Sequence, residues 1–487
     1  MSLPPCSCPD TEGVTYNVVR AEGSHSGLVR APAKRLPGVT SVESSNLSPS
    51  ATGQPAKMTD RFYLWTVGCQ MNQADSEKLA TGFLRTGMRA VDRPERADIV
   101  VVNTCSVRQH AEDRAYSKLG RLKQLKQERP SLKIAVMGCM VGIKTDDLQK
   151  RFPYVDVFAR PQQFGPIMEL AKGPGEDLGG EFWPSVFAVP DGPTAFVPVV
   201  HGCNKFCTYC IVPYRRGRER SRPMDEVIRE VAYLAANGVA EVTLLGQTVE
   251  AYGHDLEDKP DIGDLMRELS AIEQIQRIRF LTSYPKDMTH RILEAVAALP
   301  KVMECFSLPV QAGSDAVLES MRRGYTKAEY LEKLAEVRQL MPSAGITTDV
   351  IVGYPGETEA DFIETCELVQ QVRFDKVHIA AYSPRPGTIA WRKLDDDVSA
   401  SEKADRLHRL EAIENRISLE LNETYLGTIQ PVLVEGVRGD QPYGRTRTGK
   451  LVHLDAPARP GQTVDVRIDH AGPYALRGAP VDALALV

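Results

Sequence analysis

From residue 61 onward, short apolar runs alternate with segments whose apolar residues recur every three or four positions, the pattern of strands and helices in βαβ order. Three runs open it, Phe62–Val67, Ile99–Val102 and Ile134–Met137, and each leads into a cysteine: Gly68-Cys69, Asn103-Thr104-Cys105 and Gly138-Cys139. Between the first two, Asp75-Ser76 can cap a helix with Leu79, Phe83 and Leu84 on one face and Gly87 as its stop. Ligands of open α/β sheets bind beyond the carboxyl ends of the strands, where these three cysteines converge. Six further runs follow a Pro- and Gly-rich stretch: Phe196–Val200, Val242–Leu245, Ile278–Leu281, Cys305–Leu308, Thr348–Val352 and Val377–Tyr382. The first helix among them has Pro223 near its start, Val227, Val231 and Leu234 on one face, and Gly238 past its end. Ser399 and Glu402 form a capping box for an amphipathic helix carrying Leu407, Leu410, Ile413, Ile417 and Leu421. Beyond Gly427 come short β segments, Pro431–Val437, Leu451–Leu454 and Thr463–Ile468, separated by Gly, Pro and Asp. The fold class expected is mixed α/β: an N-terminal parallel α/β domain, a central open (β/α)6 partial barrel two units short of closure, and a C-terminal small all-β barrel.

Length changes the picture only by agreeing with it, since 487 residues accommodate about three domains. The expected boundaries are 58–165, a linker over 166–195, 196–422 and 423–487. Ser, Pro and Gly make up 21 of residues 1–57, too many for a core, so that stretch reads as a disordered extension. Met58 stands directly before the first apolar run, where a chain lacking the extension would begin. A hydrophobic content of 42% with 25% charged residues excludes a wholly disordered chain. No apolar run approaches the roughly 18 residues of a membrane span, and no secretory leader is present, so a soluble cytoplasmic protein is expected. The net charge of −5 provides no global field for nucleic acid; any such site must be local.

Ten cysteines are too few for a disulfide scaffold, and their clustering points to metal or catalysis in a reducing compartment. Cys203, Cys207 and Cys210 lie in HGCNKFCTYC directly after a predicted strand. Three thiolates within eight residues of loop can hold three irons of a [4Fe–4S] cluster. The open fourth iron can chelate S-adenosylmethionine, whose reductive cleavage gives a carbon radical. A zinc site completed by His201 and buried structural thiols are the competing readings. Cys305 and Cys366, on apolar faces, read as core thiols, and Cys6 and Cys8 lack further ligands nearby.

The spacing Cys203-x3-Cys207-x2-Cys210 with Tyr209, set in GCNKFCTYCIVPYRRGRERSR, resembles the signature of the methylthiotransferases within the radical S-adenosylmethionine superfamily. VGCQMNQADSEK from Val67, NTCSVRQHAEDRAYSKLG from Asn103 and MGCM from Met137 extend the resemblance to the first domain. It implies that Cys69, Cys105 and Cys139 ligate a second [4Fe–4S] cluster that carries or donates sulfur. Gln70-Met71-Asn72 and Ser106-Val107-Arg108 resemble the loops of the tRNA 2-methylthio-N6-dimethylallyladenosine synthases, which implies carbon 2 of the isopentenylated adenosine beside the anticodon as the reacting atom. Tyr209, Gly246, Gln247, Ser283, Gln311, Gly353 and Tyr382 resemble family contacts to S-adenosylmethionine, while Thr248, Glu250 and Tyr284 depart from the asparagines and histidine expected there.

Five guanidiniums within eight residues begin at Arg215, with Glu219 the one acid among them. Arg215, Arg216 and Arg218 are the candidates for tRNA phosphate, because the arginine fork matches phosphate oxygens. The terminal β segment resembles a TRAM domain, in which Arg445, Arg447 and Lys450, with Tyr443 for stacking, are the RNA candidates. The expected partners are tRNA and an electron donor of flavodoxin or ferredoxin type. Thiolation of threonylcarbamoyl adenosine or of a ribosomal protein is the rival within the class, and a non-enzymatic iron–sulfur RNA-binding protein the rival outside it.

Overall fold

Strands form where β-branched and aliphatic residues run together, as at Ile99–Val102, none of which has any exposed surface in the computed structural model. The structure describes residues 61–106, 109–172 and 187–481, so the expected N-terminal extension, with Cys6 and Cys8, lies outside the described residues. The first sheet comprises β1 (Arg61–Thr66), β2 (Arg89–Ala90), β3 (Ile99–Thr104), β4 (Lys133–Gly138) and β5 (Val157–Ala159). All are parallel, in the order β2-β1-β3-β4-β5, with helices on both faces. β2 and β5 were not expected; two and three residues are too short to show a period.

The helix after β1 departs from expectation in a useful way. It runs Gln70–Arg85, and its N-cap is Cys69, not the Asp75-Ser76 pair. Both polar residues are buried within it: Asp75 meets Arg216, and Ser76 Oγ lies 2.7 Å from Thr66 Oγ1 and accepts from Asn103 Nδ2. Leu79 and Phe83 are fully buried while Leu84 is exposed, so the apolar face is narrower than expected. The expected linker also begins with structure, a helix over Gly165–Lys172 whose Ile167, Met168 and Ala171 join the first domain's core.

The central domain is built on six parallel strands: β6 (Thr194–Pro198), β9 (Glu241–Leu245), β10 (Arg277–Leu281), β11 (Cys305–Ser307), β12 (Gly345–Val352) and β13 (Lys376–Ala381). β6-β9-β10 and β11-β12-β13 are each continuous ladders, joined by the Ile278–Val302 bridge and by Ser283 N donating to Ser307 O at 3.2 Å. Among the described residues β6 and β13 do not pair, so the barrel is open. Met71 and Ala74 of the Gln70–Arg85 helix pack with Leu245 there, against Phe196 and Leu281, covering the β6 edge with the first domain. Inserted after β6, β7 (Val200–His201) and β8 (Arg220–Ser221) pair antiparallel and close the base of the loop that carries Cys203, Cys207 and Cys210.

The capped helix Ala400–Glu423 packs along the central domain through Leu410 and Ile417 and leads into a closed barrel. Its strands β14 (Ile429–Arg438), β15 (Gln441–Arg445), β16 (Leu451–Leu454), β17 (Thr463–Ala471) and β18 (Leu476–Pro480) follow the order β14-β15-β16-β18-β17 around a core of Val432, Val434, Val452, Leu454, Val466, Ile468 and Leu476. This barrel sits against the amino ends of the central strands, opposite the cysteines. Arg277 at the start of β10 donates to Arg445 O at 2.6 Å, Arg447 pairs with Glu304, and Lys450 pairs with Asp375 at 2.7 Å. Of the three cations expected to meet RNA, Arg447 and Lys450 are therefore occupied in docking one domain on another, Arg445 pairs with Glu435 within the barrel, and Tyr443 lies over Gly436 across the β14–β15 pair.

Candidate catalytic site: two facing cysteine sets

Three of the four cysteine loops leave their strands through a glycine whose backbone another residue would adopt only with strain. Gly68, Gly138 and Gly202, directly before Cys69, Cys139 and Cys203, have φ values of +136°, +97° and +80°. A Cβ on Gly68 would stand 2.7 Å from both Cys105 Cβ and Asn72 Nδ2, so the first two loops touch here. Asn72 ties them together: its Nδ2 donates to Val67 O at 3.1 Å and Thr104 O at 2.8 Å. Its Oδ1 lies 3.9 Å from Cys69 Sγ and 4.0 Å from Cys139 Sγ. Cys69, Cys105 and Cys139, 36 and 34 residues apart in sequence, thus gather around one asparagine.

Around this set stand three guanidiniums. Arg216 is 3% exposed; its Nη2 donates to Asn72 Oδ1 at 2.7 Å and pairs with Asp75 at 3.2 Å, and its Nη1 has no partner. Its charge acts on Cys139 and Cys69. Arg215, half-buried over Gly142, faces Cys139 and Glu112, and Arg385 faces Glu112 and Cys105. The expectation that Arg215 and Arg216 meet tRNA phosphate is corrected for Arg216, which is sealed in the interior, whereas Arg218 is exposed. Burial raises the Cys139 thiol above its ordinary value, and Arg216 opposes that rise. A positively ringed trio of soft sulfur donors suits an anionic iron–sulfur cluster.

Cys203, Cys207 and Cys210 stand in the loop closed by β7 and β8 and act on one another electrostatically. Phe206 between them takes a left-handed φ of 50°, as do Thr282 at 71° and Gln311 at 78° on neighbouring strand ends. Such backbone persists where surrounding contacts impose it, characteristically at functional sites. Burial and the neighbouring thiols push Cys210 up to about 12, so its sulfur is protonated until metal displaces the proton. Arg323 provides the test of fit. It is 4% exposed, and its Nη1 lies 3.4 Å from Cys207 Sγ and 3.3 Å from the Tyr209 hydroxyl. Nε donates to the Tyr325 hydroxyl at 2.9 Å and Nη2 to Pro309 O at 2.8 Å. Among the described residues no carboxylate forms an ion pair with this guanidinium, and the groups that act on it most strongly are Tyr209, Tyr325 and Cys207. A buried cation without a counter-charge is costly unless an anion sits beside it, and thiolates on iron meet that need.

The other expected cofactor contacts lie at carboxyl ends of the same strands. Gln247, beside Gly246, accepts from Gly202 N, and Thr248 Oγ1 lies 3.5 Å from Cys203 Sγ. Ser283 and Glu250 are buried together at these strand ends, and the Ser283 hydroxyl acts on the Glu250 carboxyl. Gln311 is fixed by Asp349 O and Ile351 N at 2.9 Å each. Gly353 is crowded by the Lys403 stem, and Lys403 Nζ stands 5.3 Å from the Tyr382 ring. The two cysteine sets face one another through Arg216, six residues past Cys210, and through Arg385, three past Tyr382. Reading the sequence missed Arg323 and Arg385, since a single arginine in MRRGYT or SPRPG has no distinguishing neighbour. Cys305 and Cys366 are buried away from both sets, as expected of core thiols.

The radical SAM superfamily profile matches residues 197–369, the profile described as Uncharacterized protein family UPF0004 matches 61–159, and the TRAM domain profile matches 423–481. A tRNA-2-methylthio-N(6)-dimethylallyladenosine synthase of Dehalococcoides mccartyi (strain CBDB1) is 43% identical over 427 residues, covering 87% of this chain and 99% of that protein. Proteins of the same name from Roseiflexus sp. (strain RS-1) and Bordetella bronchiseptica (strain ATCC BAA-588 / NCTC 13252 / RB50) are 44% and 42% identical, over 86% and 90% of this chain and 89% and 97% of theirs. A radical S-adenosylmethionine methyltransferase structure from Kitasatospora setae superposes with a TM-score of 0.49 at 13% identity, over 77% of this chain and 81% of that one.

Proposed function

Because the chain belongs to the family of tRNA-2-methylthio-N6-dimethylallyladenosine synthases, we propose that it adds a methylthio group to carbon 2 of N6-dimethylallyladenosine next to the anticodon of tRNA. The observation that carries this reading is Arg216, six residues past Cys210, whose guanidinium reaches Asn72 of the other set and acts on Cys139 and Cys69. Cys203, Cys207 and Cys210 would hold the [4Fe–4S] cluster that, with S-adenosylmethionine, supplies a carbon radical for an unactivated C–H bond, and Cys69, Cys105 and Cys139 a second that supplies sulfur.

The chain's own residues perform the rest. Arg323 holds the Cys207 sulfur and the Tyr209 hydroxyl in place, and its charge favours the more negative state of whatever Cys207 binds. Gly246, Gln247, Ser283, Gln311, Gly353 and Tyr382 would orient S-adenosylmethionine at the strand ends. Asn72, Arg216 and Arg385 hold the second sulfur set opposite, so substrate carbon and sulfur meet without either domain moving far. Arg218 would meet tRNA phosphate. Electrons would come from a flavodoxin- or ferredoxin-type donor, and the site of action would be the cytoplasm; among the described residues no helix is long and apolar enough to cross a membrane.

The deciding experiment is mass spectrometry of tRNA nucleosides from cells with and without the protein. Loss of the 2-methylthio nucleoside, with its unthiolated dimethylallyl precursor accumulating, is expected. Loss of a thiolated threonylcarbamoyl adenosine instead would overturn the substrate assignment.

A further inference from the structure

The loop of Cys203, Cys207 and Cys210 has a solvent side of which these roles use only Arg218. Phe206, between two of the cysteines, and Tyr214, four residues past the third, meet edge to face with ring centroids 5.8 Å apart. Arg218 stands 4.9 Å from the Phe206 ring. On the other flank Arg392 stands 5.9 Å from the Tyr214 ring and donates to its hydroxyl at 3.5 Å. Arg392 lies on a short helix, Ile389–Lys393, capped by Thr388 and held to the cysteine loop by Ala390 N donating to Thr208 O at 2.8 Å. Trp391, beside it, is 50% exposed. Among the described residues none of Arg218, Arg392 and Lys393 forms an ion pair with a carboxylate.

An exposed indole is poorly accounted for by packing within the chain, and the cations around it have no internal counter-charge. Aromatic faces interleaved with unpaired guanidiniums are the composition of a platform for single-stranded nucleic acid, where bases stack on rings and cations follow the phosphates. A paired helix could not use such rings, because its base faces are already stacked. We infer that Phe206, Tyr214 and Trp391, with Arg218, Arg392 and Lys393, form a stacking platform for unpaired nucleotides of the tRNA loop that flank the reacting base. The inference rests on the tRNA reading and adds to it the part of the tRNA that is held and the residues that hold it. The platform borders the loop of Cys203, Cys207 and Cys210, so a base extruded from the stacked loop has a short path into the cleft.

The test uses full-length, anaerobically reconstituted protein, titrated with a stem–loop RNA of the substrate anticodon arm and with a fully paired RNA of equal length. Trp391→Ala is expected to weaken stem–loop binding about tenfold and paired RNA hardly at all, with Trp391→Phe restoring most of the loss. Arg392→Gln and Lys393→Gln are each expected to flatten the salt dependence of stem–loop binding by about 0.7 in logarithmic slope. Both are surface positions, so they decide the matter even if Trp391→Ala loses its iron. Wild-type protein that binds and thiolates tRNA, with all three variants unchanged, would overturn the platform and leave the function standing. Wild-type protein that neither binds the stem–loop nor thiolates tRNA would remove the function and the platform together. Variants that bind RNA normally but turn over slowly with a flavodoxin, and at full rate with dithionite, would make this surface a reductase dock and overturn the inference.

Discussion

Arg323 is a buried cation whose nearest polar groups are the Tyr209 and Tyr325 hydroxyls, Pro309 O and the Cys207 sulfur. Replacing it with Gln keeps the shape and one donor and removes the charge. Arg323→Gln is expected to leave iron binding near normal, to shift the midpoint potential of the first cluster to more negative values, and to slow S-adenosylmethionine cleavage by about tenfold or more, with Arg323→Lys intermediate. Redox titration followed by electron paramagnetic resonance checks the shift; an unmoved potential would make Arg323 a packing residue. Glu250 offers a second test. Burial, with Asp287 adding to it, lifts this carboxyl from 4.5 to about 7, against the Ser283 hydroxyl and the Tyr284 amide that stabilise its charge. Since the unfolded chain releases this proton first, the folded state loses stability as pH rises from about 4.5 to about 7 and carries the full penalty above that. Glu250→Gln is expected to flatten this part of the pH profile and to raise stability at pH 8 by up to about 3 kcal/mol, read from urea unfolding at pH 5 and pH 8. At this scale the gathering of Cys69, Cys105 and Cys139 was legible from the apolar runs that precede them, and that of Cys203, Cys207 and Cys210 from their short spacing after a strand. Arg216 was not, because a charge run looks the same in sequence whether it faces water or an acid such as Asp75.

The Gln70–Arg85 helix shows what a sequence pattern can and cannot state about an element. Its existence and its Leu79 and Phe83 face followed from periodicity, but Asp75-Ser76 imitated a cap, and the polar side it belongs to is buried against the central domain. Lys78 on this helix meets Glu230 at 3.4 Å, and Glu230 also takes Arg222. A polar interface reads in sequence as a solvated face, so amphipathic logic misassigns it. Physical consequences follow from its being dry. Removing one partner of a buried pair leaves the other uncompensated, so Asp75→Ala is expected to cost about 3–5 kcal/mol in urea unfolding. Asp75→Leu with Arg216→Leu is expected to recover much of that stability, because an apolar pair of similar volume needs no counter-charge, while cluster content at Cys69, Cys105 and Cys139 falls. A double variant no more stable than Asp75→Ala would mean the pair is not acting as a unit.

At the scale of the whole molecule, the three cores were legible from runs and spacing, whereas their mutual placement was not, because no local pattern encodes which sheet edge meets which. The amino ends of the central strands carry the β14–β18 barrel, and Arg277, Arg447 and Lys450 are spent on that contact. The carboxyl ends face the first sheet's carboxyl ends, and only this end brings sulfur to sulfur. Such an arrangement divides the chemistry spatially. On the proposed reading, generating the radical would require a reducible cluster with S-adenosylmethionine at Cys203, Cys207 and Cys210, and placing sulfur on carbon would also require an attachment point at Cys69, Cys105 and Cys139. Replacing any of these three with Ala is therefore expected to abolish reductive cleavage of S-adenosylmethionine. Replacing Cys69, Cys105 and Cys139 together with Ala is expected to lower iron from about eight to about four per chain, to leave cleavage measurable, and to eliminate thiolated tRNA. Iron and sulfide analysis, 5′-deoxyadenosine formation and nucleoside mass spectrometry on the same preparations separate the two effects. Thiolated tRNA from the triple variant would overturn the assignment of the second set. Loss of cleavage there, with the first cluster spectroscopically intact, would mean instead that the two sets act as one electronic unit, and Arg216, in contact with Asn72 between them, is the side chain through which that coupling would have to pass.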